Sequence, residues 1–91
     1  MSGLLYQGVN RGGTITAGGV SQAVAPINRA RRGLTFQNTS DTDMWLTETG
    51  IVAAVGTGFK LTAGSSADVN TNQAVNVFCI TTGKTFGATE Y

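Results

Sequence analysis

The chain has 91 residues, the length of one domain with a single core, and a domain this short buries only a modest share of its surface on folding. Leu, Ile, Val and Phe number 21 and charged residues make up 12%, which excludes the low-hydrophobicity, high-charge compositions of disordered chains. A net charge of +1 provides no long-range field towards nucleic acid or an anionic membrane, and the longest apolar run, residues 51–55 (IVAAV), is far short of the roughly 20 residues that span a bilayer.

Thr occurs 14 times and Gly 13 times, against two Glu and two Lys, a balance that favours pleated strands and tight turns over helices. An all-β fold is expected: a small antiparallel β-sandwich or flattened barrel of about seven or eight short strands. Residues 1–6 lack the basic and apolar regions of a signal peptide, and Cys79 is the only cysteine, so the expected compartment is a reducing cytoplasm.

In chain order, residues 1–19 contain six glycines and few large apolar side chains, and are read as an extended N-terminal arm preceding a single domain over 20–91. A disordered leader is the alternative for such a segment; Leu4, Leu5 and Tyr6 favour an arm that docks on a neighbour. A short strand is expected over 14–17, then a turn at Gly18 and Gly19. Residues 20–25 read as a strand, because Pro26 would close a helix there after barely two turns. Leu34 and Phe36, then Met44 and Leu46, alternate with polar neighbours around the turn-forming stretch 38–43 (NTSDTD), which predicts a hairpin. Strict alternation places Trp45 with Thr35, Gln37 and Thr47 on the face away from the core.

A loop over 49–58 precedes a strand with Phe59 and Leu61 inward and Lys60 outward, and residues 67–70 read as a brief edge strand. The strongest strand signal is 75–82. It carries Val75, Val77 and Cys79 on one face and Phe78 and Ile80 on the other, as a strand covered on both sides does. That second cover is the arm, a neighbouring subunit or a loop. Residues 85–89 form a closing strand.

The chain has no histidine, which removes the commonest general base and metal ligand, and no enzymatic activity, metal or cofactor is expected. Asp41 and Asp43 sit in a turn, where their side chains bend the backbone. The Gly83-Lys84-Thr85 sequence lacks the upstream glycine of a phosphate-binding loop, since Phe78 stands at that position. Cys79, within an apolar strand, reads as a small buried hydrophobe. Arg29, Arg31 and Arg32 form the densest charge cluster and suit an acidic protein surface, with a solvated turn as the plain alternative; nucleic acid ranks last, because the other basic residues are scattered.

Residues 14–22 (TITAGGVSQ), 31–38 (RRGLTFQN), 44–46 (MWL), 60–64 (KLTAG) and 80–86 (ITTGKTF) occur in one succession that resembles small structural proteins encoded in the virion gene clusters of tailed bacteriophages. Those proteins are β-sandwich modules attached to heads or tails. The resemblance spans roughly residues 14–91 and implies a non-catalytic virion protein, made in the bacterial host cytoplasm and bound to a shell or tube built by another protein. Capsid decoration or cement is the expected role, because the chain is short and its arm suits strand addition to a neighbour's sheet edge. The major capsid protein and sister copies, in a ring such as a trimer, are then the partners. A tail, neck or fibre module that binds a carbohydrate receptor is the alternative. The expected contact residues are Leu4, Leu5 and Tyr6 on the arm, Arg29, Arg31 and Arg32 as polar anchors, Trp45 as an aromatic anchor, and Tyr91; Tyr, Trp and Arg are the types enriched at interface hot spots.

Overall fold

Short apolar alternations separated by turn residues give nine strands among the described residues, which are 8–91 of the computed structural model. These are β1 (Val9–Asn10), β2 (Gly13–Thr14), β3 (Ser21–Ala25), β4 (Leu34–Asn38), β5 (Met44–Thr47), β6 (Phe59–Leu61), β7 (Ser66–Val69), β8 (Val75–Cys79) and β9 (Thr85–Glu90). Every pairing is antiparallel. One sheet has the order β1-β9-β4-β7 with β2 also on β9, and the other the order β3-β8-β5-β6. The fold is an all-β sandwich.

The register shows how the chain makes it. Val9 opposes Glu90 and Thr14 opposes Thr85 in one continuous alignment, with the Arg11 N–H donating to the Ala88 carbonyl at 2.8 Å between them. β1 and β2 are therefore a single interrupted strand, and the sandwich has eight. The same alignment resumes past a corner, where Ser21 opposes Phe78 and Ala23 opposes Asn76. Inside that outer ribbon, β4 pairs with β7 and β5 with β6. The chain is thus one long antiparallel ribbon with its tip at the β5–β6 hairpin, rolled so that β9 meets β4 and β8 meets β5. This nested pairing is jelly-roll connectivity.

The corner of the outer ribbon needs glycine. A Cβ on Gly18 would stand 2.4 Å from the Ile80 carbonyl oxygen, and Gly19 has a φ of +84°.

Three expectations change in the folded chain. The predicted hairpin of residues 34–46 does not form, because β4 and β5 belong to different sheets. Alternation alone cannot distinguish a hairpin from a corner between facing sheets, since both bury the same residues. Asn38 fixes the corner: its buried amide donates to the carbonyls of Thr42 (2.7 Å) and Leu61 (2.9 Å), while its Oδ1 accepts from the Ser40 N–H and hydroxyl. Thr35 and Gln37 consequently lie on the outside of the other sheet from Trp45. Phe59, expected inward, opens the edge strand β6 directly after Gly58 and is 46% exposed. Finally, residues 9–14, within the segment read as an arm, run along the chain's own β9, Ile15 is part of the core, and residues 16–19 bend and turn.

The core gathers Ile15, Leu34, Phe36, Val69, Phe86 and Ala88 from one sheet and its edges against Val24, Met44, Leu46, Leu61, Val75, Val77 and Cys79 from the other. Phe36 and Phe86 stack at 5.2 Å between ring centroids. Each large side chain buried here stabilises the fold by about 1.5–3 kcal/mol before entropy is counted.

A candidate interaction surface on the outer face of the second sheet

Cross-strand register places Lys60, Trp45 and Phe78 side by side in one row across β6, β5 and β8, with Ser21 of β3 at its end. Trp45 and Phe78 each stand between two core residues, Met44 and Leu46 and then Val77 and Cys79, so the row faces away from the core. Asp43 and Ile80, two residues further along the strand lines of β5 and β8, continue the surface. In the opposite direction lie Thr47 and Asn76, which the 48–58 loop covers. The Thr47 hydroxyl and the Asn76 amide both donate to the Ile51 carbonyl, at 2.7 and 2.9 Å, and the Ala53 N–H donates to the Ser21 hydroxyl at 3.0 Å. Thr47, expected to face outward, does so and is buried by this loop, with Ala53 tucked beneath it.

The loop therefore covers half of the outer face and stops beside the other half. What remains open is a hollow of about 350 Å³ lined by Thr42, Asp43, Trp45, Val55, Lys60, Phe78 and Ile80. Its floor is the half-buried Trp45 and Phe78, while Ile80 is 68% and Val55 64% exposed. Apolar groups standing this far into solvent around one hollow make it the candidate interaction surface. The polar rim is mixed in sign. Lys60 Nζ lies 3.6 Å from Asp43 and 5.9 Å from the centre of the Trp45 ring, and Lys84 Nζ donates to Asp41 at 2.7 Å. The hydrogen bond from Lys84 holds the Asp41 carboxyl below the usual carboxylate range, with smaller help from Thr42 and from the Lys84 charge. Both pairs are solvent-exposed and add little to stability.

The second sequence-derived cluster resolves differently. Arg31 is not a surface anchor: its side chain is fully buried and bonded entirely within the molecule. Its Nη1 donates to Glu90 Oε2 at 2.7 Å and to the Pro26 carbonyl at 3.0 Å, its Nε to the Thr71 carbonyl at 2.9 Å, and its Nη2 to the Gln73 carbonyl. Glu90, itself buried, uses its other oxygen to accept two bonds from Arg11, at 2.7 and 2.9 Å. This triad ties the β1–β2 run, the 26–33 and 70–74 loops and the last strand together. A guanidinium's five rigid donors suit such a junction of carbonyls and carboxylate.

Arg29 and Arg32 remain exposed and enter no ion pair among the described residues. Tyr91 is 36% exposed, and its backbone brackets Gly33 through bonds of 2.9 and 3.1 Å. Its ring lies across Gly33, where an added Cβ would fall 2.7 Å from the phenol oxygen. Arg29, Arg32 and Tyr91 therefore share one end of the sandwich, and Trp45 belongs to a separate surface. Leu4, Leu5 and Tyr6 lie outside the described residues.

Phe78, Ile80, Val55, Lys60 and Asp43 are not marked as site residues by the sequence alone. The signal for the first two was the double-faced apolar alternation of residues 75–80. Arg11 and Glu90 carried no local signal, being 79 positions apart. Among the described residues no three Cys, Asp or Glu side chains gather as metal ligands would. Comparison of the chain with protein-family models, with curated proteins and with solved structures finds no match.

Proposed function

We propose that this protein is a structural component of a tailed-phage virion, a decoration or cement protein that binds the assembled head shell and stabilises it. The observation that carries this reading is the open apolar face of Trp45, Phe78, Ile80 and Val55, left uncovered on a sandwich whose buried side-chain nitrogen and oxygen atoms are all partnered among the described residues. Such a face works by contact, not by reaction. The resemblance of residues 14–91 to virion β-sandwich modules supplies the context.

The mechanism is mass action. A protein that binds only the assembled shell stabilises it by RT ln(1 + [L]/Kd), about 2.7 kcal/mol per site when the free protein is at a hundred times Kd. Many copies, each bound through a modest interface, then hold a shell that no single contact would secure. The exposed end formed by Arg29, Arg32 and Tyr91 offers guanidinium donors for carboxylates of the major capsid protein.

The test is co-sedimentation of the purified protein with emptied heads of the phage that carries it, together with calorimetry of those heads. Saturable binding and a raised melting temperature of the shell support the reading, and a protein that stays in the supernatant refutes it. A tail or fibre role with a sugar receptor is the second reading. It draws on the Trp45 ring lying in one hollow with the Thr42 hydroxyl and the Asp43 carboxylate, the groups that stack on and hydrogen-bond to a sugar. Glycan binding by the isolated protein, lost in Trp45→Ala, would favour it.

A further inference from the structure

We infer that the hollow around Trp45 is the contact between two copies of this chain, joined about a two-fold axis. This rests on the protein-contact reading above: it assigns the apolar face to a sister copy and leaves the exposed end of Arg29, Arg32 and Tyr91 to meet the shell.

Two features argue for a second copy over an unrelated partner. An isologous interface must be complementary to itself: whatever one copy offers at one point, it must receive at the symmetry-related point. The first feature is shape. Val55, 64% exposed in a turn of the 48–58 loop, lines one side of the hollow that also holds Trp45 and Phe78. A two-fold rotation lays the exposed Val55 of each copy against Trp45 and Phe78 of the other.

The second feature is charge. The rim carries one cation and one anion, Lys60 and Asp43, both about half exposed and separated by 3.6 Å in a loose pair. A partner of a single sign would find one of them repulsive. A rotated copy brings Asp43 towards Lys60 and Lys60 towards Asp43, so each finds its opposite on both sides. Ile80, 68% exposed between the strands and the rim, is buried by the same docking. The double-faced apolar pattern of β8 then has its explanation: one face serves this copy's core, and the other serves a sister copy.

The two edges of this sheet are poorer candidates for self-association. The β3 edge is interrupted by a register shift between Ala23 and Ala25 and ends at Pro26, and β6 carries Lys60; both are devices that discourage strand addition.

The experiment is sedimentation of the isolated protein over a range of concentrations, without shells, so that its outcome is independent of the cement role. A dimer is expected. Ile80→Glu should weaken it by more than about 100-fold, because an unpaired carboxylate would have to be desolvated in the contact. Asp43→Lys should weaken it by about tenfold, through two like-charge pairs per dimer, and adding Lys60→Asp should recover most of that loss. The Asp43→Lys variant retains the core, so its unfolding midpoint serves as the check that any loss is of association alone. A protein that stays monomeric over this range, a three-fold assembly, or a dimer indifferent to Ile80→Glu would each overturn the assignment. A monomer that still binds shells overturns only this inference, whereas a dimer that ignores shells overturns only the cement role.

Discussion

Glu90→Gln is expected to be among the most destabilising of near-isosteric changes in this chain. In the folded protein the carboxylate accepts three guanidinium bonds of 2.7–2.9 Å from Arg11 and Arg31, and both it and Arg31 are fully buried. Glutamine keeps one acceptor oxygen but turns an N–H towards the other arginine. It also leaves Arg31 with no compensating charge. Breaking a buried pair by neutralising one partner costs about 3–5 kcal/mol. Arg31 keeps its three backbone carbonyls and Arg11 is 31% exposed, so the lower end, about 3 kcal/mol, applies. Against a total stability of about 5–15 kcal/mol this is a large fraction. With a urea m-value of roughly 1–1.5 kcal/mol per molar for a chain this size, the midpoint should fall by about 2–3 M.

Urea unfolding monitored by Trp45 fluorescence measures this directly, and Arg31→Met with Glu90→Gln completes a double-mutant cycle. The double variant should lose clearly less than the sum of the two single losses, by about 1–3 kcal/mol, since removing both buried charges strands only the part-exposed Arg11. The penalty should also persist at about 1 M salt, where exposed pairs are screened out but buried ones are not. A midpoint shift under about 0.5 M, or strict additivity in the cycle, would refute the account; both thresholds are set by the pair energies above.

Three further outcomes are expected. Gly58→Ala should lower the melting temperature by about 8–16 °C, because its Cβ would stand 2.1 Å from the Leu46 carbonyl oxygen at a φ of +91°, whereas Gly56→Ala, with the same backbone sign and nothing within 4 Å, should cost about half as much or less. Equal losses would show that the clash is not what matters. Cys79, fully buried, should react with a thiol reagent at least about 1,000-fold more slowly in the native protein than in urea, and rapid native labelling would show that β8 opens locally. The Asp41 carboxyl titrates below its unfolded value, so the Lys84 pair contributes above the ordinary carboxylate pKa and is lost as pH falls through the lowered one. The difference in melting temperature between the native protein and Asp41→Asn should accordingly be small at neutral pH and vanish in acid; a difference that grew on acidification would reverse the assignment.

Much of the fold is visible in the order of residues, because alternation with period two is a direct record of which side chains face a core. Leu34, Phe36, Met44, Leu46, Leu61, Val75, Val77 and Cys79 all face inward as their spacing requires. Spacing does not say which strand a given strand pairs with. β4 and β5, six residues apart, look like a hairpin and are instead opposite walls, because Asn38 spends its amide on a corner that no periodicity encodes. The same limit hid Arg31. Three arginines in four positions look like a solvated patch, and only a carboxylate 59 positions away converts one of them into an interior strut. Trp45 was readable as outward-facing but not as the floor of a hollow, since its walls come from β8 and from the loop before β6.

That loop links fold to function. As the tip connection of the rolled ribbon, residues 48–58 are free of strand pairing to β5's neighbours, and they fold back over half of the outer face instead of extending into solvent. The cover is hydrogen-bonded through Ile51 and Ala53, which fixes where it ends, and it ends beside Trp45. The buried charge triad closes the sandwich through the C-terminal residues and the 26–33 loop, using none of the residues around the hollow. Folding and contact therefore draw on separate side chains. A substitution such as Ile80→Glu, on a residue 68% exposed, should leave the urea midpoint nearly unchanged while abolishing association; if it unfolds the protein instead, the outer face is part of the core's support and this separation is wrong.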